Sequence, residues 1–179
     1  MNLGLLILRL VVGALFIGHG TQKLFGWFGG NGLEGTGGFF GQLGYRPGRA
    51  MAAMAGMAEA GGGLLLMLGL LTPLGAAAII GMMLNASLSV HRPKGVWNSN
   101  GGYELPLTFA AAAACLAFTG AGRYSIDNAA GWQLSGVGWG LIAVAVGLVT
   151  GMAVYGWRMA QLRRSTPERA ARDFRSSAA

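Results

Sequence analysis

AEAGGGLLLMLGLLTP, residues 58–73, decides the fold. A carboxylate at Glu59, three consecutive glycines and a leucine-rich run end on Thr72-Pro73, and apolar residues resume at once with Leu74. Proline suits the first turn of a helix, and a two-residue break leaves no room for a loop. Residues 48–71 and 74–90 are therefore neighbouring antiparallel helices, each close to the roughly 20 apolar residues that cross a bilayer. Working outward, the same apolar pattern recurs at residues 3–25, 105–119 and 136–157, which makes five spans. Pro47 opens the second, Tyr103-Glu104 is the polar entrance to the fourth, and Gly120-Ala-Gly122 ends it. A Gly/Asn/Ser-rich connector, residues 125–135, precedes the fifth.

Composition agrees with that reading. Of 179 residues only 11% are charged, where about 25% is usual for a soluble domain, 53% are hydrophobic, and mean hydropathy is +0.50. A soluble enzyme and a disordered chain are both excluded, because such a surface cannot be clothed in charge and such a chain collapses in water. The single cysteine excludes an intramolecular disulfide framework and a cysteine-cluster metal site. Arg9 interrupts what would be the apolar core of a signal peptide, so the first segment reads as a retained helix.

Lysine and arginine set the orientation. Lys23, Arg46, Arg49, Arg92, Lys94, Arg158, Arg163, Arg164, Arg169, Arg172 and Arg175 share one side, while Arg9 and Arg123 belong to the other half. This places the first group in the cytoplasm and the N-terminus outside. Thr166-Pro167-Glu168 reads as a fresh helix start in the basic tail. The tail arginines suit anionic lipid; no aromatic or structured element beside them supports nucleic-acid binding.

Ionisable groups inside a span are costly and mark functional candidates. Arg9, His19 and Lys23 fall on one face of the first helix at 100° per residue. Counting about 1.5 Å per residue from the cytoplasmic ends, His19 and Asn85 lie roughly 9 Å deep, Glu59 near 17 Å, and Lys23, His91 and Glu104 at the mouth. His19, Lys23, Asn85, His91 and Glu104 are thus expected to converge in the cytoplasmic half. Arg9 reaches toward Glu59 as a structural ion pair, and Arg123 and Asp127 form a second one at helical spacing. Cys115, among alanines and leucine, reads as packing. In the first connection, Thr36 as N-cap and Gly44 after the last turn frame a short interfacial helix over residues 36–43. With Phe39 and Phe40 on it, and Trp97 and Tyr103 nearby, it is either an aromatic belt or a lid over the polar cluster, able to hold a flat ligand.

Four stretches resemble the signatures of the DoxX family: HGTQKLFGWFGG (19–30), AEAGGGLLLMLGLLTP (58–73), NGGYELP (100–106) and GAGRYSID (120–127). The resemblance implies a bacterial plasma-membrane protein, an all-α integral membrane bundle with a four-helix DoxX/DoxD-like core over residues 1–127. Its interfacial segment is 26–46. The connector and fifth transmembrane helix (128–157) and the basic tail (158–179) depart from the pattern, and an N-terminus inside the cell is the alternative topology. Relatives are associated with thiosulfate:quinone oxidoreduction, or with a complex containing a superoxide dismutase and a sulfurtransferase in thiol and oxidative-stress defence. The positions that match are His19, Gln22, Lys23, Glu59, Tyr103, Glu104, Arg123 and Asp127.

The candidate ligand cluster is therefore His19, Gln22, Lys23, Glu59, Asn85, His91, Tyr103 and Glu104. The expected function is a membrane subunit of a quinone-linked oxidoreductase complex, with protein partners in the bilayer or a homo-oligomer. Quinone is the favoured cofactor, haem between two histidines the less favoured one, and no metal site is expected. A non-catalytic scaffold and a small-solute transporter are the alternatives.

Overall fold

The computed structural model describes the backbone of residues 2–177 and the side chains of residues 2–165. The described residues contain helices and no strand: α1 (Asn2–Phe25), α2 (Gly32–Gln42), α3 (Gly48–Leu68), α4 (Thr72–Ala86), α5 (Glu104–Thr119), the short α6 (Ile126–Ala129) and α7 (Val137–Ser177). The end of α4 continues through a π turn, Ser87–His91, and a 3-10 turn, Arg92–Lys94. The stretches Asn2–Phe25, Gly48–Leu68, Thr72–Lys94 and Val137–Ser165 are each long and apolar enough to cross a membrane. This is a multi-pass membrane protein. The fourth expected span, α5, has 16 residues and rises only about 24 Å. It still runs the depth of the bundle. Glu104 N at its start donates to Val96 O (2.9 Å) in the third connection, and Arg123 N just past its end donates to Asn2 Oδ1 (3.0 Å).

Small residues set the packing. A Cβ on Gly20 would stand 2.5 Å from Ala60 N, and one on Gly63 would stand 2.7 Å from Gly13 O, so α1 and α3 touch backbone to backbone. α7 lies on α4 in the same way, Gly147 against the Ala77 carbonyl. Between them α4 is the central helix, and Phe16, Leu66, Ile79, Ile80, Met83 and Leu116 form the core around it.

The hairpin at 69–72 is tied from outside. Gly69 ends α3 in the left-handed region (φ 62°), and Leu71 takes a left-handed φ of 46° that a side chain rarely adopts. The Asp127 carboxylate covers the exposed start of α4, accepting from Leu71 N (2.7 Å), Thr72 N (3.1 Å) and Thr72 Oγ1 (2.7 Å). A carboxylate at a helix N-terminus satisfies orphan donors and meets the positive end of the helix dipole. Beside it Arg9, 1% exposed, donates through Nη2 to the Tyr124 carbonyl.

Several expectations are corrected here. Arg9 does not pair with Glu59: its side chain turns to the hairpin end, where Tyr124 meets it and Asp127 supplies the opposing charge. Arg123 and Asp127 do not pair either, because the chain is non-helical before Ile126 and the helical spacing does not exist. The connector holds the short α6, whose start Ser125 caps by accepting from Asn128 N. The interfacial helix starts one turn early, at Gly32. Thr36 and Gly37 are buried against the start of α3, so Thr36 packs instead of capping. Cys115 is exposed on the outer face rather than packed inside. α7 carries straight through Thr166-Pro167-Glu168, although a proline inside a helix gives up its own N–H bond and crowds the carbonyl four residues back; the flanking Arg, Glu and Ala favour helix. The lipid contacts expected of Arg169, Arg172 and Arg175 lie outside the described side chains.

Candidate functional site

α3 and α4 are held together at the hairpin end, where a Cβ on Gly62 would lie 3.1 Å from the Ala78 side chain, and they splay toward the basic end. The wedge between them is a cavity of about 380 Å³, within the usual range for small-molecule sites. α3 contributes Met51, Met54, Ala55, Ala58 and Glu59, at helical i, i+3, i+4, i+7, i+8 spacing. α4 and its π turn contribute Ala78, Gly81, Met82, Asn85, Ala86, Ser89, Val90 and His91. Phe39, Phe40, Leu43 and Tyr45 roof it, Thr150, Gly151 and Val154 of α7 wall one side, and Lys23 reaches in from α1.

The polar groups form two poles in an otherwise apolar space. At one, the Lys23 ammonium is ion-paired with the Glu59 carboxylate, whose side chain is 5% exposed. At the other, Tyr45 donates to Asn85 Oδ1 (3.0 Å), and its hydroxyl lies 2.7 Å from Ser89 Oγ, which is left to donate back. Asn85 Nδ2 donates to the carbonyls of Gly81 (3.1 Å) and Gly151 (2.9 Å). Both of those acceptors are carbonyls, so the amide orientation is fixed. Burial pushes the Tyr45 phenol above its ordinary value, with the Ser89 hydrogen bond and the Arg158 charge working the other way. It stays a protonated donor at neutral pH. At the mouth His91 Nδ1 lies 2.6 Å from the Gly101 carbonyl. That nitrogen must carry the proton, which leaves Nε2 as the acceptor of the neutral ring.

Of the residues expected to cluster, Lys23, Glu59, Asn85 and His91 line the cavity, and His19, Gln22, Tyr103 and Glu104 do not. Helix geometry gives the reason for His19. It sits 100° from Gly20, the residue pressed on α3, whereas Lys23 sits about 60° away and has the longer reach. His19 is exposed, its Nδ1 3.2 Å from Gln22 Oε1, and Gln22 Nε2 donates to the Phe28 carbonyl (3.3 Å). Glu104 accepts from Asn98 N (2.8 Å) and so holds the third connection. With His91 on the cavity and His19 off it, the two imidazoles do not bracket a common space for a haem. Tyr45 and the α7 wall were missed: Tyr45 sits in a loop with no periodicity to flag it, and Gly151 contributes a main-chain carbonyl.

A second, more open cleft lies at the hairpin end, bordered by Asn2, Arg123, Asp127, Asn128 and Gln133. Both oxygens of Asp127 are already engaged there.

The sequence model of one family, DoxX, matches residues 4–92, from α1 to the end of the π turn. The chain carries a DoxX domain. The DoxX match takes in both poles of the cavity except for the Gly151 carbonyl, which α7 supplies. No curated protein and no solved structure matches the chain.

Proposed function

We propose that this DoxX protein is the membrane subunit of a quinone-linked oxidoreductase complex in a bacterial plasma membrane, and that the wedge between α3 and α4 holds the quinone. The observation that carries the reading is an apolar cavity with proton-bearing groups confined to its polar poles. A quinone takes up two electrons and two protons on reduction. The Lys23 ammonium and the Tyr45 hydroxyl are the donors that suit carbonyl oxygens, Glu59 sets the charge beside Lys23, and the free His91 nitrogen at the mouth suits proton exchange with water. The sequence has one cysteine and no cluster or dinucleotide motif, so electrons come from a partner, with sulfur or thiol chemistry in line with the family resemblance. On the same reading the DoxX-like unit extends through α5 to residue 127, and the N-terminus lies outside.

The test is saturable binding of a decyl-chain benzoquinone to the detergent-purified chain, followed by an oxidised-minus-reduced difference spectrum. Wild type is expected to bind near one equivalent, with affinity lowered about tenfold or more in Glu59→Gln. A folded, monodisperse sample with no saturable binding overturns the reading and favours a scaffold.

A further inference from the structure

Resting on the ligand reading above, we propose that the occupant is a chain-bearing membrane amphiphile that enters sideways from the bilayer, its head under α2 and its chain leaving between α3 and α7. α7 packs on α4 but does not form a packed pair with α3, so the wedge lacks a wall on that side. The residues that border the gap are themselves exposed: Met54 on α3 (53%) and Thr150 on α7, with Phe39 of α2 (46%) above them. Met54 and Thr150 belong to stretches long and apolar enough to span the membrane. Thr150 spends its hydroxyl on the Val146 carbonyl (2.7 Å), so it presents no free donor to lipid.

The roof is tied to α7 by contrast. Arg158 Nε donates to the Leu43 carbonyl (2.7 Å), Trp157 Nε1 donates to the Arg46 carbonyl (3.2 Å), and Leu162 packs on Gly44. The Arg158 guanidinium also lies over the rings of Tyr45 (5.8 Å) and Tyr155 (5.5 Å), in cation–π range. The lining residues from Ala78 to His91 cover about 20 Å of helix rise, far more than one ring needs. Tyr45, Asn85 and Ser89 gather under the roof, the Lys23–Glu59 pair forms a second pole farther along α3, and Met54 and Phe39 at the gap are apolar. Such polarity orients an amphiphile head inward and chain toward hydrocarbon.

Spin labels report this without any ligand. In a Cys115→Ala background in liposomes, a nitroxide at Ala86→Cys is compared with one at Val149→Cys, on the outer face of α7, and one at Asn98→Cys, in the third connection. Expected is frequent collision with oxygen and rare collision with a water-soluble nickel chelate at 86, as at 149, and a several-fold rise in nickel collisions on adding Arg158→Ala. Nickel access at 86 equal to that at 98, or shielding from both reagents, overturns the proposal. Should Ala86→Cys not fold, Met54→Cys at the gap carries the same comparison. As a second arm, Thr150→Phe is expected to weaken a decyl-chain quinone at least fivefold and leave a tail-less benzoquinone unchanged; equal effects on both overturn the route. Because the spin labels involve no quinone, absence of quinone binding alone removes the quinone reading and leaves the side entrance standing.

Discussion

The two ends of the bundle bury charge in opposite ways. At the hairpin end, Asp127 spends its oxygens on the start of α4, and Arg9 is sealed beside it under Tyr124. At the basic end, Lys23 and Glu59 pair across the wall of a cavity, and Tyr45, Asn85 and Ser89 bond to one another around it. The first arrangement spends its polar atoms on closing a turn; the second sets them around a space. Buried charge in a membrane protein is therefore not one signal. What distinguishes a clasp from a site is whether its neighbours close on it or splay away.

The sharpest way to break the comparison is Asp127→Ala. It strips three hydrogen bonds from a strained turn and removes the opposing charge near Arg9, and each buried donor left unsatisfied costs about 1–3 kcal/mol. A clear fall in thermal midpoint in detergent is expected, with a partial return in Arg9→Met/Asp127→Ala; no fall would make the two ends alike.

Tyr45→Phe probes the basic end at lower cost. It orphans Asn85 Oδ1, worth about 1–3 kcal/mol, and should lower quinone affinity about tenfold. Retained affinity with lost stability would turn this pole into a second clasp.

Glu59→Gln removes a charge whose partner is partly exposed, 23% for the Lys23 side chain, so about 1 kcal/mol or less of stability is at stake while binding suffers. A large loss of stability without loss of binding would put Glu59 with Asp127.

A pH titration is gentler still. The Tyr45 phenol is raised, so the folded state holds its proton longer than the unfolded chain does. The stability of its network is fully present below the ordinary phenol range near about 10 and is lost only as pH rises through the higher folded value. Ultraviolet titration should show a tyrosine ionising above the ordinary phenol range, and Tyr45→Phe should remove it. The smallest effect is expected of His19→Ala, with quinone affinity unchanged within about twofold, since the ring is exposed and off the cavity.

His19 shows how far a helical wheel carries. Arg9, His19 and Lys23 do share a sector of α1, but the cavity admits only the one whose chain reaches round the α1–α3 contact. Depth was legible for Lys23, Glu59, Asn85 and His91, because rise per residue is fixed once helix ends are known. Direction was not legible, because it depends on which face each neighbour takes. Arg9 was misassigned for that reason: its depth suited Glu59, but its rotamer follows Tyr124, 115 residues away.

The sequence by itself determined the solvent, the helices and their alternation. Apolar runs of membrane length can satisfy their main chain only within themselves, and a Thr-Pro break forces antiparallel neighbours. Tertiary structure alone decided that α3 and α4 splay, that α7 walls one side and leaves the other open, and that Tyr45 and the Gly151 carbonyl complete the polar pole. Those outcomes rest on contacts between distant segments, set by where glycines let backbones touch and where bulkier side chains hold them apart. Nothing in the spacing along one helix encodes the angle at which it meets the next.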